Sequence, residues 1–314
     1  MVCDLQTFTF FVPYVCLYIW HLPNMATMKE IILPPEVNYI AAFLTHRCNI
    51  NCAYCINRQG EFNVPQEMSA EDWIKGLSRI DTRPDLPISI QGGEPTIYTG
   101  FYKIVNALYY QHHKHMDLLT NGMFDLRDFC SQVPTTAFKR GAKYASIRVS
   151  YHSKMSPIAL AIKAWEMQNR GYEIGIWGLD NSPHLNKPMK HLCECLNLDF
   201  REKEFLDEKR GTYKYPEAMN GKEKLNVWCK TSELLIGPSG HVYRCHADLY
   251  SNRDWVGHIL DDDIPSPISR ECSNYGLCNP CDIKLKTNRL QEFGYCAVEI
   301  KGKGVRICPK GERR

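Results

Sequence analysis

From residue 39 onward the chain alternates short apolar, β-rich runs with longer runs of helical periodicity, and this alternation constrains the fold most. Tyr39–Thr45 (YIAAFLT) reads as a strand, and Leu86–Ile90, Met116–Thr120, Ser146–Tyr151, Tyr172–Trp177 and Leu198–Lys203 follow it. Between them, Ser69 and Asp72 open a helix whose face is Trp73, Ile74, Leu77 and Ile80, and Phe101–Tyr110, Pro157–Asn169 and His184–Cys195 read as further helices. Strands separated by helices require right-handed crossovers and a parallel sheet, open or closing into part of a barrel. Ligands of such sheets sit at the carboxyl ends of the strands. After about residue 205 the alternation stops. A hairpin follows (Leu234–Ile236, turn Pro238-Ser239-Gly240, His241–Cys245) in a polar, cysteine-rich stretch expected to need metal in order to fold.

Composition narrows the function classes. The 38 Lys and Arg residues are scattered and nearly balanced by 35 Asp and Glu, which argues against a nucleic-acid surface. A 44% hydrophobic and 23% charged chain is an ordinary globular one. Its outlier is cysteine, 15 in all, an odd number in a chain too long for a disulfide scaffold, so metal ligation is the first reading. The apolar stretch Phe8 to Trp20 falls short of the roughly 20 residues of a membrane span and contains Pro13. It also lacks the basic start of a signal peptide. We therefore expect translation to begin at Met25 or Met28, no membrane association, and a cytoplasmic compartment in which thiols stay reduced. The expected organisation is an N-terminal extension over 1–38, a core over 39–210 and a cysteine-rich unit over 211–314.

Directly after the first strand comes Cys48-Asn-Ile-Asn-Cys52-Ala-Tyr-Cys55. Three thiolates in eight residues can cover one face of a [4Fe–4S] cubane and leave one iron open to a non-protein ligand. Zinc and mere coincidence are the competing readings of the spacing alone. Position and neighbours decide between them: the loop lies at a strand end, Tyr54 precedes the last cysteine, and the second strand ends in Gly92-Gly93-Glu94-Pro95. This combination resembles the radical S-adenosylmethionine (SAM) superfamily, and the resemblance covers roughly residues 39 to 205 as a partial (β/α)₆ barrel, an α/β fold.

The resemblance implies a role for each matching residue. Cys48, Cys52 and Cys55 would ligate the cluster, with SAM chelating the open iron. Tyr54 would lie against adenine, and Gly92, Gly93, Glu94 and Pro95 would meet the SAM amino group. Ser150 would contact the ribose, Asn121 would line the same pocket, and Ile176 and Gly178 would offer backbone to adenine. Taken singly, these are an ordinary turn, strand-end hydrogen bonders and a packed aromatic; their order along the chain gives them weight.

In the C-terminal stretch, Cys229, ten residues, Gly240, four residues and Cys245 are followed by Cys278-Asn-Pro-Cys281. The hairpin would turn at Gly240 and bring Cys245 across from Cys229. The pattern resembles the SPASM/twitch auxiliary-cluster domains that follow many radical SAM barrels. It implies one auxiliary [4Fe–4S] cluster on Cys229, Cys245, Cys278 and Cys281. The order of cysteines departs from the larger SPASM pattern, so Cys272, Cys296 and Cys308 leave a second auxiliary cluster open, and Cys272 could instead be an active-site thiol. Cys130, Cys193 and Cys195 read as small core hydrophobes, and His112-His113-Lys114-His115 as solvated surface.

The implied chemistry is reductive cleavage of SAM to a 5′-deoxyadenosyl radical, which abstracts a hydrogen atom from a substrate. A flavodoxin- or ferredoxin-type partner would supply the electron, and a fully ligated auxiliary cluster would accept the substrate's. The short stretch ahead of the first strand favours oxidation of a small molecule, with a peptide or protein side-chain maturase as the alternative. An iron–sulfur electron carrier or sensor without SAM chemistry is the reading from another class.

Overall fold

The computed structural model describes residues 28–33, 37, 39–52, 55, 66–142, 144–179, 182–203, 225–230, 233–264, 270–275 and 306–309. Six strands, β1 (Tyr39–Thr45), β2 (Ile88–Gly92), β3 (Met116–Thr120), β4 (Ile147–Ser150), β5 (Ile174–Leu179) and β6 (Asp199–Lys203), lie side by side in chain order. All five pairings between them are parallel. The connecting helices are α1 (Ala70–Leu77), α2 (Phe101–Tyr110), α3 (Leu126–Gln132), α4 (Pro157–Asn169) and α5 (Pro183–Cys195). The chain is thus a mixed α/β fold with a parallel sheet.

Alternation along the strands separates two faces. Ile40, Ala42, Leu44, Ile88, Ile90, Met116, Leu118, Ile147, Val149, Ile174 and Ile176 share one core with Trp73 of α1, Ile104 of α2, Phe129 of α3, Leu160 of α4 and Met189 of α5. Each of α1–α5 therefore covers the same face, as expected when strands in sequential order are joined by crossovers of one hand. The opposite face is polar toward its middle. Asp117 of β3 is fully buried between Arg140 (2.6 Å) and Arg148 of β4 (3.0 Å), and the Tyr144 ring lies beneath both guanidinium groups. Two cations on one carboxylate satisfy a charge that would be costly to bury alone. Among the described residues the ladder runs from edge to edge without closing.

The expected strands and helices form, with two kinds of difference. β2 and β5 each begin and end two residues later than expected, their far ends held by parallel pairing of Gly92 with Thr45 and of Leu179 with Lys203. Helix α3 escaped the sequence reading; it is short, and its signal is the Asp125 cap accepting from the Asp128 amide at 2.8 Å.

Beyond residue 225 the expected hairpin forms, but it joins the main sheet. Its strands, β8 (Glu233–Ile236) and β9 (His241–Tyr243), pair antiparallel, and β8 also pairs parallel with β1. A two-residue β10 (Gly257–His258) extends that edge, giving a nine-stranded sheet. The short α6 (His246–Tyr250) places Leu249 and Tyr250 on Tyr39, Ala41 and Phe43, on the face opposite the helices. Cys229 lies elsewhere, in β7 (Leu225–Lys230), which pairs with β11 (Arg270–Tyr275) and β12 (Arg306–Pro309) in a separate three-stranded sheet. The hairpin ladder therefore does not set Cys245 opposite Cys229. No described helix is long and apolar enough to cross a membrane.

Candidate active site at the strand ends

β1 ends at Thr45, and the chain runs three residues to Cys48. Cys48, Cys52 and Cys55 are not disulfide-bonded and are all partly exposed, and the Cys55 amide donates to the Cys52 carbonyl at 3.2 Å. Among the described residues no three His, Cys, Asp or Glu side chains are gathered closely enough to hold a metal ion. The donor set nevertheless fits a sulfur-ligated iron cluster in kind: three thiols from one loop, accessible from outside. Tyr54 lies outside the described residues.

Four neighbours hold this loop. The Gly93 amide donates to the Thr45 carbonyl at 2.7 Å, and the Glu94 amide to the Arg47 carbonyl at 2.8 Å. A Cβ on Gly92 would stand 2.2 Å from the Thr45 carbonyl oxygen, and one on Gly93 2.1 Å from that of Arg47. The glycine pair is thus what lets the end of β2 touch the cysteine loop backbone to backbone. Just past β3, the Asn121 side chain reaches Asn49 and Cys48. Lys154, after β4, donates to the Asn51 carbonyl at 2.6 Å.

The fourth tie is Glu67, which the sequence reading missed. Its carboxylate accepts from the Thr45 hydroxyl and takes both Nε (2.9 Å) and a terminal nitrogen (2.8 Å) of Arg47. Burial works against its ionisation, but the Arg47 and Thr45 hydrogen bonds prevail and hold it below the usual glutamate value. Nothing in the spacing marks Glu67, because it stands twelve residues beyond Cys55 and meets the loop only in three dimensions. Burial pushes His46, between Thr45 and Arg47, down to about 4, so its ring is neutral near pH 7.

Glu94 turns inward rather than toward solvent. It is fully buried, one oxygen accepting from the Thr96 amide (3.1 Å), the Thr96 hydroxyl (2.6 Å) and the Thr120 hydroxyl (2.8 Å), the other from the Asn121 amide (2.6 Å). Burial raises its pKa despite these donors. Glu94 thereby joins the ends of β2 and β3, and Pro95 begins the single 3₁₀ turn that follows (Pro95–Ile97).

The remaining expected residues are placed as follows. Ser150 ends β4, partly exposed, in register with Trp177 of β5. Ile176 lies three residues before the end of β5 with its side chain in the helix-covered core, so only its backbone is open to an outside role. Gly178 packs against Asn186, whose amide nitrogen donates to the Leu179 carbonyl at 2.8 Å and to Glu202 at 2.7 Å. Cys245 follows β9, partly exposed. Cys229 is in register with Arg270 and Ile307, Cys272 with Val227, and Cys308 with Trp228. Cys278, Cys281 and Cys296 lie outside the described residues.

The site is thus a three-cysteine loop at the end of β1, braced from the ends of β2 and β3. Residues 43–134 match the model of the Radical SAM superfamily. Over that stretch the chain is similar to the radical SAM family. The mycofactocin maturase MftC of Mycolicibacterium smegmatis is 23% identical over 139 residues, 44% of this chain and 32% of that protein. A probable GTP 3′,8-cyclase of Methanopyrus kandleri is 29% identical over 108 residues, 33% of each chain. A PqqA peptide cyclase of Rhizobium meliloti is 32% identical over 76 residues, 24% of this chain and 20% of its own. The alignments thus take in a third or less of each relative's length, and this chain is similar to part of each.

Proposed function

We propose that the protein is an enzyme that cleaves SAM reductively at a [4Fe–4S] cluster on Cys48, Cys52 and Cys55 and abstracts a hydrogen atom from a substrate. The observation that carries this reading is the cysteine loop at the carboxyl end of β1, bound through Gly93, Glu94, Asn121 and Lys154 to the following strand ends. When bound, the cluster would supply one electron to SAM, yielding methionine and the 5′-deoxyadenosyl radical. The chain's own residues do the rest. Glu67 orients Arg47 and Thr45 ahead of the first thiolate. Glu94 keeps the β2 and β3 ends together, and Ser150 and the backbone around Gly178 are the SAM contacts in this reading. The polar face opposite the helices is the substrate side, where the sheet screens a reactive carbon from water.

The substrate reading that the relatives favour is a peptide or protein side chain, since the names of MftC and PqqA cyclase describe a maturase and a peptide cyclase. The small-molecule reading is supported by the similarity to a probable GTP cyclase. A flavodoxin- or ferredoxin-type donor would deliver the electron. The auxiliary cluster on Cys229, Cys245, Cys278 and Cys281 rests on their spacing. The test is anaerobic reconstitution followed by SAM and dithionite: 5′-deoxyadenosine should form, and its absence with the cluster intact would leave an electron carrier or sensor.

A further inference from the structure

Asn121 is placed more exactingly than a pocket lining requires. Its backbone amide is held by the buried carboxylate of Glu94 at 2.6 Å, and the neighbouring Thr120 hydroxyl is held by the same group at 2.8 Å. Its side-chain oxygen accepts from the Met123 amide at 2.9 Å. Because a backbone N–H can only donate, this contact settles which end of the carboxamide is oxygen. The nitrogen therefore faces the cysteine loop, with two hydrogens to give. One goes to the side-chain oxygen of Asn49 at 2.7 Å, and Cys48 Sγ stands 3.7 Å from the same nitrogen. Asn121 itself is 5% exposed, so water competes little for that second hydrogen.

We infer that Asn121 tunes the reduction potential of the cluster by donating a hydrogen bond to the Cys48 sulfur. This rests on the reading above that Cys48 is an iron ligand. A donor at a ligand sulfur stabilises the more negative, reduced state and raises the potential. The amide is already oriented by Met123, Asn49 and Glu94, so it needs no rearrangement when the electron arrives. Asn121 is a positioning residue in this account and need not touch SAM.

The test is an EPR-monitored redox titration of the reconstituted full chain without SAM, with iron content recorded for each protein. Asn121→Asp keeps an acceptor for Met123 but turns a carboxylate oxygen toward sulfur. It should lower the equilibrium constant for one-electron reduction by about tenfold or more, a shift of about 59 mV or more to the negative side. Asn121→Ala should shift the potential the same way by less. Variants with wild-type iron content and wild-type potential would overturn the inference. A wild-type chain that takes up no iron would overturn the ligand reading instead, and the inference with it. Should the variants fail to load, the apo wild type decides: Cys48→Ala should move the Asn121 side-chain amide resonances in a ¹⁵N–¹H spectrum, and unmoved resonances would refute the contact.

Discussion

At the residue scale, Gly92 and Gly93 show how structure can alter the reason for a motif. The resemblance assigns the segment to the SAM amino group, whereas the structure shows a steric demand that exists without any ligand: the carbonyls of Thr45 and Arg47 occupy the space a side chain would need. Both are backbone atoms and cannot swing away. Gly93→Ala should therefore cost about 3 kcal/mol or more, the upper range for overpacking, and displace the cysteine loop. Urea unfolding of the apo protein measures the first effect, and iron uptake after reconstitution the second. Wild-type stability and uptake would show that the β2 end does not brace the loop.

Glu94, Asn121 and Glu67 differ in how far the sequence reveals them. The motif around β2 exposes Glu94 to notice, and a polar residue at a strand end exposes Asn121. Their partners are another matter, because the contacts of Glu94 with Thr120 and of Asn121 with Cys48 span 26 and 73 residues. Glu67 has no local signature at all, and only folding brings it to Arg47.

At the scale of elements, hydrophobic periodicity makes the six strands and four of the helices legible, since each buries one face of regular spacing. It cannot say which edge the C-terminal hairpin joins, because an apolar strand is equally suited to a unit of its own. The structure sets β8 against β1, with Leu234 and Ile236 in the same core as Ile40 and Ala42. Ile236 is fully buried, so Ile236→Ala should cost about 2–5 kcal/mol. The loss should appear as a lower midpoint of the main thermal transition, in which the β1–β6 sheet melts, when followed by calorimetry. A change confined to a separate, minor transition would mean that β8 belongs to an independent unit.

At the scale of the whole molecule, α1–α5 cover one face of the sheet, and its parallel strands set their carboxyl ends side by side as one rim. The cysteine loop, Asn121, Ser150 and Gly178 all lie along that rim, at or just past the ends of successive or neighbouring strands. A parallel sheet concentrates function there because each strand ends in a loop free to carry chemistry. That logic is legible in the alternation of elements along the sequence. The second sheet was not readable: its strand β7 pairs with segments 40 to 80 residues further on, as Cys229 with Arg270 and Ile307 show.

The central claim is that the loop at the end of β1 holds a four-iron cluster. The direct measurement is iron per chain after anaerobic reconstitution, in the wild type and in the variant with Cys48, Cys52 and Cys55 all replaced by alanine. The variant should hold about four fewer irons per chain, the content of one cubane, with the iron bound elsewhere unchanged. Equal iron in the two proteins would contradict the account.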